Sequence, residues 1–290
     1  MESVNNLTPV LTQGLEMTDD ERLEKLCEKA KQLYTVEPVE SEGNTKILVY
    51  ELIPSVDARI RSSKGELVVQ YELPCKLSTT DVYNFYYDGE IFAVAEGTWN
   101  PEQPEIHNNK LSIWVSWNGE EFERLEVGET ERAYQTVYFG FGEDGRIALI
   151  TEIDMRTHEV FLREDSRSEW EKLGTAESFG ACYGRPVSCI SFFDGTTGVV
   201  ATPLIDPAYT NFVRTEDAGE NWEFASKELL EIESGAEKEY GYSVLRLHCE
   251  GVLGAALVRV SYMEEDGSDA FYLYTTTDKG QNWKVEARVK

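Results

Sequence analysis

At 290 residues with 41% hydrophobic side chains, the chain can bury a sizeable core, as one large all-β domain or two ordinary ones. Its 54 acidic residues against 27 basic ones give a formal net charge of −27, which repels a phosphate backbone and argues against nucleic acid as a partner. The five cysteines, Cys27, Cys75, Cys182, Cys189 and Cys249, contain no CxxC pair, and the three histidines, His107, His158 and His248, are scattered, so no metal or other cofactor is expected.

Residues 1–16 are polar and unpatterned, which suits a lead-in. No run approaches the roughly 18 apolar residues of a membrane span, and the N-terminus lacks the charged and apolar regions of a signal peptide. A helix is predicted over about 19–34. Thr18-Asp19-Asp20-Glu21 has the form of a capping box, and Leu23, Leu26, Cys27, Ala30, Leu33 and Tyr34 follow at helical spacing as one apolar stripe. That stripe must be buried, either on a flank or end of the main domain or on a partner. Thr35 to Thr45, with Pro38 and several glutamates, reads as a linker, so 1–45 is an N-terminal extension and 46–290 the main domain.

From Lys46 onward the pattern is β. Short runs rich in Val, Ile, Tyr and Phe alternate with turns at Asp88-Gly89, Asn118-Gly119, Glu143-Asp144-Gly145, Asp194-Gly195 and Asp266-Gly267. Paired runs recur: Tyr83–Tyr87 with Ile91–Glu96, Thr136–Phe141 with Arg146–Glu152, Val187–Phe193 with Gly198–Pro203, and Ser243–Cys249 with Val252–Tyr262. The only further helical signal is one turn near Ser226–Ile232.

Within this β region, Thr215-Glu216-Asp217-Ala218-Gly219-Glu220-Asn221-Trp222 and Thr276-Thr277-Asp278-Lys279-Gly280-Gln281-Asn282-Trp283 repeat each other position for position. The residue types suit a hairpin turn. Asp accepts hydrogen bonds from backbone N–H groups of its own loop, Gly supplies positive φ, and Trp folds back as an apolar plug. Arg163 to Trp170 keeps Asp165 and Trp170 at the right separation and reads as a decayed copy. Ser116 to Phe122 is one residue shorter, with Asn118 for Asp, and Ser62 to Leu67 is fainter still. Steps between Asn118, Asp165, Asp217 and Asp278 are 47, 52 and 61 residues, which suit a four-stranded blade of about 40 to 50 residues with insertions.

These stretches resemble the Asp-box, or BNR repeat, of sialidase-like β-propellers. The resemblance implies an all-β fold, a β-propeller of four-stranded antiparallel blades: five by the repeat count, six if the N-terminal strands complete the last blade. An irregular β-sandwich is the competing fold. In this blade order the box joins the third strand to the fourth, so Thr215, Asp217, Gly219, Trp222, Thr276, Asp278, Gly280, Trp283, Asp165 and Trp170 are expected to be scaffold.

The opposite face collects the loops entering each first strand and leaving each second one. There the ligand candidates are Trp99, Arg132, Tyr134, Tyr183, Arg185, Tyr209 and Tyr240, aromatic platforms and cations that suit a carbohydrate, a peptide or a protein. Sialidases, which the boxes resemble, use three arginines to hold a carboxylate, a Tyr nucleophile sharpened by a Glu, and an Asp acid/base. Here the Phe/Tyr-Arg-Ile-Pro motif is missing early in the chain. Its nearest echo, Tyr183-Gly184-Arg185-Pro186, has an inserted Gly, and Arg132, Arg185 and Arg246 lack matching contexts. No catalytic residue is assigned. The expected function is a non-catalytic binding or scaffold module, by default monomeric; the alternative is a diverged sialidase-like glycoside hydrolase. For the compartment, the resemblance implies an exported or lipid-anchored protein whose leader has been removed, with a cytoplasmic location as the alternative.

Overall fold

A computed structural model describes residues 17–40, 44–55, 62–74, 82–97, 110–130, 136–142, 145–154, 157–175, 187–202, 212–227, 240–262 and 269–289. One helix, α1 (Asp19–Lys31), precedes five sheets. Blade 1 contains β1 (Tyr34–Glu40), β2 (Thr45–Pro54) and β3 (Ser62–Leu73). Blade 2 contains β4 (Val82–Tyr87), β5 (Phe92–Gly97), β6 (Lys110–Ser116) and β7 (Glu123–Glu129). Blade 3 contains β8 (Thr136–Phe141), β9 (Ile147–Asp154), β10 (Thr157–Arg163) and β11 (Glu171–Thr175). Blade 4 contains β12 (Cys189–Phe192), β13 (Gly198–Ala201), β14 (Phe212–Thr215) and β15 (Glu223–Phe224). The short β16 (Ser226–Lys227) then crosses to run parallel to the outer strand of blade 5, which is built from β17 (Tyr240–Glu250), β18 (Leu253–Tyr262), β19 (Ala270–Thr276) and β20 (Asn282–Arg288). The fold is therefore the expected one, a five-bladed, antiparallel β-propeller with an N-terminal helix.

Four expectations about local structure are corrected. Most of the segment read as a linker forms β1, because Tyr34 and Val36 pack on the cluster shared with blade 2 and Tyr34 to Glu40 pairs with Glu51 to Thr45 of β2 in unbroken register. The helix stops at Lys31, three residues early, with Gln32 already extended at φ −84° and ψ 118°. Ser62 to Leu67, the faintest repeat copy, is continuous strand within β3 and makes no turn. At Ser226–Ile232 the described part is β16 instead of a helical turn. Each described blade is made of consecutive strands, so the N-terminal strands form a blade of their own and do not complete the last one.

Apolar clusters fill four of the seams between blades. Ile47, Val49, Tyr71 and Leu73 of blade 1 meet Tyr87, Phe92 and Val94 of blade 2. Ala93, Ile113 and Val115 meet Val137, Phe139 and Leu149 at the next seam. Ile150, Val160 and Leu162 meet Ile190, Val200 and Val213 at the third, and Val199, Ala201 and Phe212 meet Tyr242, Val258, Tyr274 and Trp283 at the fourth. Each sheet thus buries the face that it cannot protect alone.

The fifth seam is closed differently. Leu26, Cys27 and Ala30 of α1 pack on Leu253, Ala255 and Leu273 of blade 5, and Leu33 joins Leu52 of blade 1 to Leu257 and Phe271. A helix takes the place of a direct sheet-to-sheet contact. Its first turn is fixed by Thr18 and Glu21: the Glu21 carboxylate accepts from the Thr18 N–H at 2.8 Å, and Thr18 Oγ1 accepts from the Glu21 N–H at 3.3 Å. Burial, with the nearby Glu286 charge, pushes the Cys27 thiol up to about 11, which leaves it an inert packing group. Around the axis the inner strands are tied directly, with Asn84 Oδ1 of β4 accepting from the Val137 N–H of β8 at 2.9 Å and Arg246 Nη2 of β17 donating to the Tyr87 carbonyl of β4 at 2.7 Å.

Candidate functional site

One mouth of the propeller gathers the turns between first and second strands and those between third and fourth. Nearly every described turn there is held by a carboxylate or amide oxygen. Asp88 Oδ1 accepts from the N–H groups of Glu90 and Ile91, and Asn118 Oδ1 from those of Glu120 and Glu121. Asp165 Oδ1 accepts from Arg167 and Ser168, and Asp194 Oδ1 from Thr196 and Thr197. Sequence reading found Asp165 but treated Asp88 and Asp194 only as turn residues beside a glycine.

The two full eight-residue repeats share a tighter design. Thr215 Oγ1 donates to Asp217 Oδ1 at 2.8 Å and accepts from the Gly219 N–H at 2.8 Å, while Asp217 holds both the backbone and the side-chain amide of Asn221. Thr276, Asp278, Gly280 and Asn282 repeat each bond, at 2.8, 3.1, 2.9 and 2.7 Å. Positive φ at two successive positions explains the Gly: Ala218 and Lys279 already sit at 57° and 55°, and Gly219 and Gly280 follow at 94° and 76°. Trp222 Nε1 donates to the Gly219 carbonyl at 3.0 Å, whereas Trp283 stacks on Phe212 with ring centroids 4.2 Å apart. Trp170 packs partly buried against the cluster between blades 2 and 3. Burial would raise the Asp217 and Asp278 carboxyls, but the Asn221 and Asn282 amides and the neighbouring N–H groups outweigh it and hold both below the usual carboxylate range. Asp278→Ala should accordingly cost about 1–2 kcal/mol, read as a lower urea midpoint with unchanged m-value.

On this same mouth a cavity of about 750 Å³ opens between blades 1, 2, 3 and 5 and the flank of α1. Tyr71, Tyr87, Trp117 and Phe141 contribute aromatic wall, and Glu90, Asn118 and Glu250 contribute acceptors. At its floor lies a buried polar cluster. Asp88, 4% exposed, accepts from the Tyr86 hydroxyl at 3.2 Å and faces Lys29 of α1 at 3.6 Å; the same ammonium reaches Glu90 at 2.8 Å. Burial alone would push the Asp88 carboxyl up, yet the Lys29 charge and the two backbone N–H donors bring it below its ordinary value. His248 also lines the cavity, buried at 5% exposure, with Nε2 enclosed and without a hydrogen-bond partner among the described residues.

Burial and the Arg246 charge bring the His248 imidazole down to about 4, against the opposing pull of Asp88. An unfolded chain takes up that proton near 6.5, so between those values the unfolded state binds more protons and stability rises with pH. The contribution is complete above pH 6.5 and is lost as pH falls toward 4. Stability should therefore drop by about 2–3 kcal/mol between pH 7.5 and 4.5. In His248→Gln that part of the fall disappears, which urea titrations at the two pH values measure directly.

Of the ligand candidates drawn from sequence, Trp99, Arg132, Tyr134, Tyr183, Arg185 and Tyr209 lie outside the described residues, as does the side chain of Tyr240, whose backbone starts β17. Arg246, the remaining member of the arginine triad considered, reaches across the axis to the Tyr87 carbonyl and sits 5.6 Å from the Tyr86 ring centroid. The residues that do converge, Lys29, Asp88 and His248, come from a helix, a hairpin turn and an inner strand far apart in the chain. No spacing marks them.

Compared as a sequence, the chain matches no family model and no curated protein. Its fold is similar to solved structures. One is a proposed exo-β-1,3-galactanase from Bifidobacterium bifidum, 9% identical over 87% of this chain and 90% of that one, with a TM-score of 0.43. Another is a mutant Aleuria aurantia lectin in complex with α-methyl-L-fucoside, 13% identical over 89% and 78%, at 0.38. A third is a mutant Trypanosoma rangeli sialidase displaying trans-sialidase activity, 11% identical over 88% and 48%, at 0.38. Likeness at this level carries no argument about what this chain binds or turns over. Among the described residues no group of His, Cys, Asp and Glu could hold a metal ion, and no helix is long and apolar enough to cross a membrane.

Proposed function

We propose that this chain is a non-catalytic Asp-box propeller that binds a neutral carbohydrate at its turn-side mouth. The observation that carries this reading is the cavity of about 750 Å³ in which an aromatic wall, carboxylates and a side-chain amide meet. Pockets of this size hold small ligands, and sugar hydroxyl groups can donate to the carboxylates of Glu90 and Glu250 while the ring packs on the aromatic wall. A polyanionic ligand fits poorly with a chain of net charge −27. Against catalysis, Asp88 is committed to two backbone N–H groups, a tyrosine hydroxyl and Lys29, and Arg246 to a main-chain carbonyl, which leaves neither poised for a substrate.

The test is calorimetric titration with a panel of neutral oligosaccharides, repeated on Glu250→Ala and Glu90→Gln at the turn-side mouth and on Tyr183→Ala and Arg185→Ala, two of the candidates drawn from sequence. Binding should weaken at least tenfold in the first pair and stay unchanged in the second. The opposite result would move the site to the loop face, and turnover of aryl glycosides would favour the diverged glycoside hydrolase instead.

A further inference from the structure

Blade 1 differs from its neighbours in two ways. It has three strands where blades 2 to 4 have four, so β3 forms its outer edge, and among the described residues no strand pairs with that edge. β3 is twelve residues long and largely exposed. An unpaired strand of this length presents a row of free main-chain donors and acceptors. Lys64 and Gly65 blunt its first third, and the ladder with β2 is irregular from Lys64 to Val69, where the register skips Val68, but Val69 to Leu73 runs on in regular register.

Beside this edge lies a groove. Because α1 fills only part of the seam between blades 1 and 5, a cavity of about 480 Å³ remains, walled by β2 and β3 on one side and by Leu257, Phe271 and Val289 on the other. The described residues include seven exposed large hydrophobic side chains, and four of them, Ile53, Leu67, Val68 and Val289, line this one cavity. Exposed apolar side chains scattered over a surface need no explanation; a cluster of them along an unpaired strand does.

Charge selects the occupant. The cationic groups near the groove are already paired, Lys31 with Glu28 and Lys64 with Glu37, while Glu51 and Glu66 stand on its rim. A second copy of this chain would bring another −27 against that rim, and residues 1–16 contain two glutamates and no lysine or arginine. We infer that the edge of β3 and the adjoining groove take an extended segment of a partner protein, with apolar residues at alternate positions and lysines or arginines between them, added as the fourth strand of blade 1. Main-chain bonds to β3 supply the pairing, alternate apolar side chains enter the groove, and the basic ones meet Glu51 and Glu66. This inference is independent of the sugar-binding reading, since the groove and the turn-side cavity share no lining residue.

The probe is a fluorescent ten-residue peptide alternating valine or leucine with lysine, compared with a scrambled peptide of identical composition and with a version carrying a central proline. Anisotropy titrations use the full chain and its Leu67→Glu and Val68→Glu variants, whose side chains are about half exposed, so that folding is retained. The alternating peptide should bind at least tenfold more tightly than either control, and each added glutamate should weaken it at least tenfold although it makes the protein more acidic. Equal binding of the scrambled peptide, or tighter binding to the glutamate variants, would mean diffuse attraction to an acidic surface and overturn the inference. So would a dimer of the unmodified chain in sedimentation that Val68→Glu dissociates, or tighter peptide binding after removal of residues 1–16.

Discussion

Gly140→Ala should destabilise the protein by about 4 kcal/mol, beyond the usual range for overpacking, and is expected to leave little folded protein at 37 °C. Gly140 lies in β8, where the inner strand of blade 3 passes the inner strand of blade 4. A Cβ there would stand 2.2 Å from the Ile190 carbonyl oxygen and 3.0 Å from its carbon. Both atoms belong to backbone locked in the β12–β13 ladder, so relief requires the two blades to move apart and opens the cluster around Ile150, Val160 and Ile190. Gly195→Ala is the matched control. Its Cβ would meet Glu164 Oε1 at the same 2.2 Å, but Glu164 is an exposed, flexible side chain that can swing away. Urea denaturation of both variants should show a collapse for the first and a change within about 0.5 kcal/mol for the second.

That contrast marks what could be read from the chain and what could not. The blades were legible because strand pairs and turn residues are local. Asp217 and Asp278 with their Thr, Gly and Asn partners lie within eight residues, and the bonds they make stay inside that span. β1 is illegible as a strand because Pro38 and the glutamates of Thr35 to Thr45 resemble a linker; on the innermost strand of a three-stranded sheet, the unbroken ladder with β2 and the packing of Tyr34 and Val36 override those local preferences. The position of Gly140 was illegible because a glycine in a strand declares close approach but not what approaches.

The same limit applies to the site. Trp99, Arg132, Tyr134, Tyr183, Arg185 and Tyr209 stand out by composition, which identifies residue types able to bind. It says nothing about which side chains converge. Convergence on the turn-side mouth depends on ring closure, which brings β17 beside β4 and lays α1 over the Asp88 turn. A helix that reads in isolation as amphipathic and in need of a partner supplies, in the folded chain, both the seal of the fifth seam and the cation over the cavity floor.

Lys29 should therefore carry more stability than its place on the polar side of a helix suggests. Lys29→Met keeps the aliphatic stem but removes the charge opposite a carboxylate that is only 3% exposed. Breaking such a pair from one side leaves a buried charge short of its partner, a loss of about 3–5 kcal/mol where the pair is fully enclosed; with 17% of the Lys29 side chain in contact with water and Asp88 still held by Glu90, Ile91 and Tyr86, about 3 kcal/mol is expected here. Asp88→Asn in the same background should recover much of it, because the amide oxygen can still accept from Glu90 and Ile91 without needing a counter-charge. The coupling in this double-mutant cycle separates the ion pair from packing. If the two substitutions were additive, Lys29 would act through the hydrophobic contacts of α1 alone. Coupling of 1 kcal/mol or more would show that the helix is held at the mouth by the charge beneath it. Lys29→Met should also increase hydrogen exchange in α1 and along the inner half of β18, where Leu253 and Ala255 receive the helix, while leaving the blade 3–blade 4 seam protected.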